Sequence, residues 1–123
     1  MIVGVGIDMI EVDRVMAKIM KHNGFREKVF SAAEIKFCES NRKSENYAAR
    51  FAAKEAFLKA TGLGLMLGND LSDVEIVNDA NGKPSIVLRG NFKVQAEQNS
   101  WNKIHLSLSH LQQMACAVVI IER

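Results

Sequence analysis

The most informative segment of the chain reads Arg50-Phe51-Ala52-Ala53-Lys54-Glu55-Ala56-Phe57-Leu58-Lys59-Ala60, a composition typical of a long helix. At 3.6 residues per turn, one face of this helix carries Ala48, Phe51, Ala52, Glu55, Leu58 and Gly62. Glu55 is therefore an acid within an apolar stripe. A buried carboxylate without a partner is strongly unfavourable, so we expect Glu55 to be paired, protonated or bound to a cation.

An ordinary helix ion pair is the simplest alternative for Glu55. Lys59 follows it at i+4 in the favourable order, and such a pair stabilises a helix by about 0.3–0.5 kcal/mol. For the helix considered alone, this is the favoured interpretation. Two further constellations, near the two ends of the chain, change the balance toward a functional role.

Length and composition limit the class of protein. The 123 residues are 48% hydrophobic and 24% charged, as expected for one globular domain spanning 1–123. A net charge of +2, with one Trp and one Tyr, does not require nucleic acid as a partner. Cys38 and Cys116 lack zinc or CxxC spacing, which predicts reduced thiols. With no signal-peptide pattern and no membrane-length apolar run, we expect a cytoplasmic protein without membrane association.

Hydrophobic periodicity predicts an α+β fold in which an antiparallel sheet packs with a long central helix. The first half contains one strand at 2–7 and then three helices. The helices are predicted at about 12–23, at 31–40, and from the loop at 41–44 to Gly62. The second of them begins with a Ser-x-x-Glu capping box. The second half contains two hairpins around a short helix, with strands at 74–77, 85–88, 104–109 and 115–121 and a helix at about 91–98. The last strand is so apolar that we expect both of its faces to be covered.

The first strand carries a second candidate acid. Period-two alternation places Gly4, Gly6 and Asp8 on one face, and the glycines leave space that a ligand or a packed helix would fill. Asp8 and Glu11 also match a capping box for the next helix, which is the favoured interpretation for Asp8 alone. Brought together with Glu55, Asp8 would instead form a site of hard oxygen ligands suited to Mg²⁺.

Basic side chains that could contact phosphate occur near these acids. Arg50 and Lys54 share a helical face, Lys59 lies one turn after Glu55, and Lys83 lies in a predicted turn. Each of them is ordinarily a solvated surface charge, and only their convergence would make a site.

A strand that ends in histidine, Ser107-Leu108-Ser109-His110, forms the last constellation. The chain has no Gly-x-Ser-x-Gly elbow, and neighbouring residues of a strand do not form a catalytic triad by themselves. Phosphate binding by hydroxyl and imidazole fits better, and an ordinary hydrogen-bonded turn histidine remains the alternative.

Two surface features indicate partners. The segment 61–68 is rich in Gly, Leu and Met, and its apolar side chains would contact either another subunit or a ligand. On the first helix, Arg14, Lys18 and Lys21 recur at i, i+4 and i+7. Such a row is ordinarily a solvated face, and it would also suit an acidic protein partner.

Taken together, the blocks resemble a known family. They are Val5-Gly6-Ile7-Asp8 with Glu11 and Arg14, Arg50 to Ala60, Gly82-Lys83-Pro84, and Ser107-Leu108-Ser109-His110. In order and spacing, over essentially the whole chain, they are similar to holo-[acyl-carrier-protein] synthases, the small bacterial type of 4'-phosphopantetheinyl transferase. The resemblance implies transfer of 4'-phosphopantetheine from coenzyme A to a serine of apo acyl carrier protein, with release of 3',5'-ADP. It also implies Mg²⁺ as cofactor, a role in fatty acid biosynthesis and a homotrimer with active sites between neighbouring subunits.

The resemblance further implies residue roles. Asp8 and Glu55 match the metal ligands of the family. Asp8, Glu55 and Lys59 together match its catalytic residues. The implied contacts of coenzyme A are Arg50, Lys59, Gly82, Lys83, Pro84, Ser109 and His110. Arg14 matches a contact of the carrier protein, and Lys18 and Lys21 continue its row.

Some features depart from the family pattern or stay open. Leu111 stands where the family usually has a small or polar residue, and Met114 stands where an aromatic residue is frequent. No site residue is assigned in the loop 39–45. The general base is open between Glu55, a metal-bound water and a side chain of the carrier protein. Alternative functions are a non-catalytic module that binds an acidic protein or nucleic acid, and a Mg²⁺-dependent nucleotide hydrolase.

Overall fold

The structure is a computed structural model that describes residues 1–64 and 70–123. Its elements follow one another as β1 (Ile2–Glu11), α1 (Val12–Met20), α2 (Phe25–Val29), α3 (Ala32–Ser40), α4 (Lys43–Thr61), a 3-10 turn (Leu71–Asp73), β2 (Val74–Asn78), β3 (Pro84–Leu88), α5 (Gly90–Gln98), β4 (Lys103–His110) and β5 (Met114–Glu122). The predicted α+β class with antiparallel pairing is confirmed. Both predicted hairpins form, as β2–β3 and β4–β5.

The strands form two sheets where the sequence predicted one. Three strands pair antiparallel in the order β1-β5-β4, and β2 pairs with β3 in a separate two-stranded sheet. In the larger sheet, Asp8 lies opposite Ala117 and His110 lies opposite Ala115. The two candidate residues therefore lie on the two outer strands of one sheet.

Helix α4 packs directly on β1. A Cβ atom placed on Gly6 would lie 1.9 Å from the carbonyl oxygen of Ala56, and one on Gly4 would lie 1.8 Å from that of Ala60. No side chain fits at either position, because the backbone of the helix occupies that space. The space over the glycines is thus filled by a packed helix, and Asp8 follows them on the same strand.

Helix α4 is buried on nearly all sides, which corrects one sequence-based expectation. Lys54 is fully buried, and its Nζ donates to Glu34 Oε1 at 2.8 Å, to the Leu71 carbonyl at 3.0 Å and to the Val74 carbonyl at 2.6 Å. Burial lowers the pKa of Lys54, and the negative charge of Glu34 opposes that effect. Lys54 therefore joins α4 to α3 and β2, and its predicted role as a phosphate contact is wrong.

Helix starts differ from the sequence predictions in two places. The capping box at Asp8 is wrong: β1 continues to Glu11, α1 begins at Val12, and the Glu11 side chain makes no cap hydrogen bond. The box at Ser31 is confirmed, since Ser31 N donates to Glu34 Oε1 and Glu34 N donates to Ser31 Oγ. The five-residue helix α2 was not predicted.

The face of the larger sheet that points away from α4 is apolar and open. On β5, buried residues alternate with half-buried ones, so within one chain only one of its faces is fully covered. On β1, Val5, Ile7 and Met9 are 59%, 58% and 63% exposed. Residues 65–68 of the apolar segment 61–68 lie outside the described residues. In the part of the chain that the structure describes, no helix is long and apolar enough to span a membrane.

Candidate active site

The strand β1 and the helix α4 bring Asp8, Glu55 and Lys59 together. Lys59 Nζ donates to Asp8 Oδ1 and to the Ile7 carbonyl oxygen, each at 3.0 Å. The predicted Glu55–Lys59 ion pair is therefore not formed, because the lysine pairs with Asp8 instead. Within residues 1–64 and 70–123, the Glu55 carboxylate has no hydrogen-bond or ion-pair partner.

Electrostatics favour a cation at this cluster. Burial and the negative charge of Asp8 raise the pKa of Glu55 above its ordinary value, whereas Lys59 and Lys18 act in the opposite direction. The ammonium group of Lys59 is largely exposed and pairs with Asp8, which leaves Glu55 without an ion pair among the described residues. A bound cation would stabilise the ionised form of both acids.

A cavity of about 390 Å³ opens beside the acids. It is lined by Glu55, Leu58, Lys59, Gly62, Gly64 and Leu71. Gly62 ends α4 in the left-handed conformation, with φ of 71°, which turns the chain away from the helix axis. The cluster consequently has open space next to its one unpartnered carboxylate.

A second cavity, also of about 390 Å³, contains a buried cation. Arg50 is only 3% exposed and stacks on the Phe37 ring, with its guanidinium carbon 4.3 Å from the ring centroid. It donates to Asn78 Oδ1 at 3.2 Å and to Asn46 Oδ1 at 3.5 Å, and its Nε has no partner. Among the described residues, no carboxylate pairs with it. A buried and unneutralised guanidinium favours an anion as ligand.

The β2–β3 turn forms one wall of this cationic cavity. Asp79 Oδ1 accepts hydrogen bonds from Asn81 N at 2.8 Å and from Lys83 N at 2.9 Å, which fixes the turn. Gly82 has a φ of 83°, a conformation that favours glycine. Gly82, Lys83 and Pro84 all line the cavity together with Arg50.

The residues at the end of β4 divide between two cavities. His110 lines the cationic cavity, and it also lines a separate apolar cavity of about 280 Å³. Ser109 lines only the apolar one, whose walls include Leu111 and Met114, the two departures from the family pattern. Ser109 therefore does not line the cavity that contains the buried Arg50, whereas His110 does.

Glu45 contacts His110 and was not singled out from the sequence. Its Oε2 lies 3.3 Å from His110 Nδ1. An acid in the first turn of a helix is common, because it complements the helix dipole, so its position in the sequence gave no functional signal.

Within one chain, the two groups of candidate residues face different sides of α4. Arg50 and Glu55 are five residues apart, which corresponds to about 140° around the helix axis. Asp8 and Lys59 accompany Glu55, whereas His110 and the β2–β3 turn accompany Arg50. Each side therefore presents only part of the set that the sequence predicted.

Comparison with known proteins identifies the family. The family model of the 4'-phosphopantetheinyl transferase superfamily matches residues 4–119. The chain belongs to this superfamily. A holo-[acyl-carrier-protein] synthase of Syntrophus aciditrophicus is 44% identical over 124 residues, covering 99% of this chain and 97% of that protein. The resemblance inferred from the sequence is thereby confirmed.

Solved structures of this family share the fold. The holo-[acyl-carrier-protein] synthase of Neisseria meningitidis superposes with a TM-score of 0.91 at 28% identity, covering 100% of both chains. A synthase of Bacillus anthracis, in complex with CoA (3',5'-ADP), superposes with a TM-score of 0.80 at 35% identity. That match covers 98% of this chain and 96% of the other.

The predicted basic row on α1 is not uniform. Arg14 and Lys21 are exposed. Lys18 is half-buried, and its Nζ lies 5.7 Å from the centroid of the Phe25 ring and 5.6 Å from that of Phe51. Two members of the row are thus free to meet a partner, while Lys18 lies over aromatic rings close enough to influence Glu55.

Proposed function

We infer that this protein transfers the 4'-phosphopantetheine group of coenzyme A to a serine of an apo acyl carrier protein, releasing 3',5'-ADP. The observation that carries this function is the unpartnered Glu55 carboxylate beside the Asp8–Lys59 pair, in a chain of this superfamily. The 44% identity to a named holo-[acyl-carrier-protein] synthase, over almost the full length of both chains, supports the same reaction.

Coenzyme A fits the charges of the cationic cavity. Arg50 is buried without an anionic partner, and Lys83 and His110 line the same space. Phosphate groups are the anions that a planar guanidinium binds best, through parallel hydrogen bonds. Arg50, Lys83 and His110, with the Gly82 and Pro84 backbone, would therefore hold the nucleotide end of the donor.

Asp8 and Glu55 would hold Mg²⁺. Two carboxylates are the hard oxygen ligands that Mg²⁺ takes from proteins when it also binds phosphates, and the raised pKa of Glu55 is the result expected for acids that lack a cation. When bound, Mg²⁺ would supply positive charge to the phosphate oxygens of the donor. Among the described residues, Glu55 has no hydrogen-bond or ion-pair partner that it would give up to bind the metal.

The reaction forms a bond between the carrier serine oxygen and the phosphorus that bears pantetheine. The bond from that phosphorus to the oxygen of 3',5'-ADP breaks, and the serine hydroxyl gives up its proton. Phosphoryl transfer depends mainly on positioning and charge neutralisation. Lys59, anchored on Asp8 Oδ1 and the Ile7 carbonyl, has a third N–H to donate to a phosphate oxygen of the substrate.

We propose that complete active sites form between neighbouring subunits of a homotrimer. The two groups of candidate residues face different sides of α4, so one small ligand bound to both groups would need two chains. The open face of β1 supports such association, because Val5, Ile7 and Met9 expose apolar surface. The trimer itself is the state that the family resemblance implies.

The acceptor protein would approach the exposed side of α1 that carries Arg14 and Lys21. The carrier proteins that this family modifies are acidic. Arg14 and Lys21 are exposed cations that would orient such a partner. Coenzyme A and a carrier protein as substrates fit a cytoplasmic enzyme of lipid metabolism, with fatty acid biosynthesis as its pathway.

Intact-mass spectrometry of a verified apo acyl carrier protein tests the function. The carrier is incubated with this protein, coenzyme A and Mg²⁺, beside a matched reaction with EDTA. We expect the carrier to gain one phosphopantetheine only when metal is present. Release of 3',5'-ADP without carrier modification would indicate a hydrolase. No reaction across a panel of carriers, with a folded protein, would favour a binding module.

A further inference from the structure

The two ring nitrogens of His110 have different environments. His110 ends β4, and its Nδ1 lies 3.3 Å from Oε2 of Glu45 in the first turn of α4. Glu45 is 25% exposed and His110 is 34% exposed, so the contact is partly shielded from water. The other nitrogen, Nε2, has no hydrogen-bond partner among the residues that the structure describes.

A carboxylate at Nδ1 fixes the orientation of the whole ring. The Glu45 carboxylate lies at ion-pair distance from Nδ1, and a group that holds one ring nitrogen determines where the other one points. His110 lines the same cavity as Arg50 and Lys83. Nε2 is therefore the ring nitrogen that is available to an anion in that cavity.

We propose that Glu45 is a positioning residue that holds His110 for its contact with a phosphate of coenzyme A. This rests on the proposed function, because it takes coenzyme A as the ligand of the cationic cavity. Glu45 would not touch the substrate, and its effect would reach the phosphate through the imidazole.

Two structural roles of Glu45 must be separated from positioning. Its Oε2 also lies 3.8 Å from Nη1 of Arg42, whose side chain is 78% exposed. So exposed a pair contributes little. Glu45 also complements the dipole of α4, which affects stability but not the binding of one substrate.

Steady-state kinetics of Glu45→Ala, beside Arg42→Ala, distinguish these roles. A His110 ring that is no longer held in place loses its hydrogen bond to a charged phosphate, and such a loss weakens binding by about 10-fold or more. We therefore expect Glu45→Ala to raise the KM for coenzyme A by about 10-fold. The kcat and the KM for the carrier protein should change by less than about 2-fold, and Glu45→Gln should restore part of the loss. An unchanged KM for coenzyme A, or an equal increase in Arg42→Ala, would overturn the proposal.

A double-mutant cycle with His110→Ala tests whether Glu45 acts through the ring. If it does, Glu45→Ala should have no further effect on the KM for coenzyme A once His110 is removed. Independent effects that multiply in the double variant would show that Glu45 acts elsewhere.

Nitrogen-15 NMR of the histidine rings gives a readout without substrate. His105, which contacts Glu122, and His22 serve as internal controls. We expect Glu45→Gln to shift only the His110 ring signals. An active enzyme in which those signals do not move would overturn the positioning role alone. Moving signals in a protein that modifies no carrier would overturn the proposed function, and the phosphate role of His110 with it.

Discussion

At the scale of single residues, the neighbours Lys54 and Glu55 have opposite surroundings. Lys54 is fully buried and donates to three acceptors, whereas Glu55 is half-buried and has no hydrogen-bond or ion-pair partner within 1–64 and 70–123. Helical periodicity correctly singled out Glu55 as an acid in an apolar setting. It placed Lys54 on a surface, because one helix cannot reveal that other elements cover its polar side as well. A buried acceptor such as Glu34 becomes visible only in the folded chain.

Substitution Glu55→Gln should separate catalysis from stability. We expect turnover to fall by about 100-fold or more, because a charged ligand of the proposed Mg²⁺ is lost. The free energy of unfolding should not decrease, since the amide removes both a partly buried charge and its repulsion with Asp8. Carrier modification by mass spectrometry and urea unfolding measure the two effects. Turnover near the wild-type rate would assign Glu55 a purely structural role.

Substitution Lys54→Met should instead lower the free energy of unfolding. It leaves Glu34 as a buried carboxylate without its cation, and removal of one member of a buried pair costs about 3–5 kcal/mol. Lys59→Met, on the same helix, is the matched control, because Lys59 is 57% exposed and its pair with Asp8 contributes about 1 kcal/mol or less. Urea unfolding of both variants tests this. Equal losses of stability would contradict it.

At the scale of elements, local signals predicted most of the secondary structure. The Asn81-Gly82 turn and the Ser31 capping box were readable from a few residues, and both formed. The cap at Asp8 was wrong because β1 is extended by its pairing with β5, which reaches Glu11. The helix α2 is too short to show a period in its sequence.

Substitution Gly6→Ala tests the packing of β1 against α4. The added methyl group would meet the Ala56 carbonyl oxygen at 1.9 Å and the Ala60 nitrogen at 2.7 Å, so the two elements must separate. We expect a loss of about 1–3 kcal/mol in the free energy of unfolding, typical of overpacking. Turnover should fall as well, because Asp8 and Glu55 lie on the displaced elements. Stability and turnover like those of the wild type would show that the elements are not in tight contact.

The junction of α3, β2 and β3 should make stability depend on acid. Burial raises the pKa of Glu75, but hydrogen bonds from Ser31 at 2.6 Å and Arg89 at 2.8 Å outweigh it, and the pKa lies below its ordinary value of 4.5. Glu75 therefore stabilises the fold above pH 4.5, and that contribution disappears as the pH falls through the lower folded pKa. Compared with wild type, Glu75→Gln should lose less stability in this acid range. Parallel pH profiles in urea unfolding would contradict this.

At the scale of the whole molecule, the candidate residues gather in two places. Family motifs in the sequence pointed to these candidates, and helical spacing alone separates Arg50 from Glu55 by about 140°. The sequence could not show which other residues accompany each of them. That division depends on how α4 sits between the two sheets. Ser109 illustrates the same point, because it lines only the apolar cavity, whereas its neighbour His110 also lines the cationic one.

Mixing two inactive variants tests whether neighbouring chains share a site. Glu55→Gln disables one group of residues and Arg50→Met disables the other. If a complete site takes one group from each of two chains, subunit exchange should create some intact sites and restore part of the turnover. Each variant alone should stay inactive in the mass-spectrometric assay. Persistent inactivity after verified exchange would show that both groups act within one chain.

The contact of Gly4 and Gly6 with α4 has a practical meaning for directed evolution. Positions 4 and 6 tolerate no side chain, so random mutagenesis that changes either glycine would produce variants in which β1 no longer packs on α4. In the cavity walls, positions outside the proposed catalytic and binding residues, such as Leu106, Ser107 and Leu108, leave more freedom to vary. A library that aims at new donors should therefore hold the glycine codons constant and place its diversity at the cavity walls.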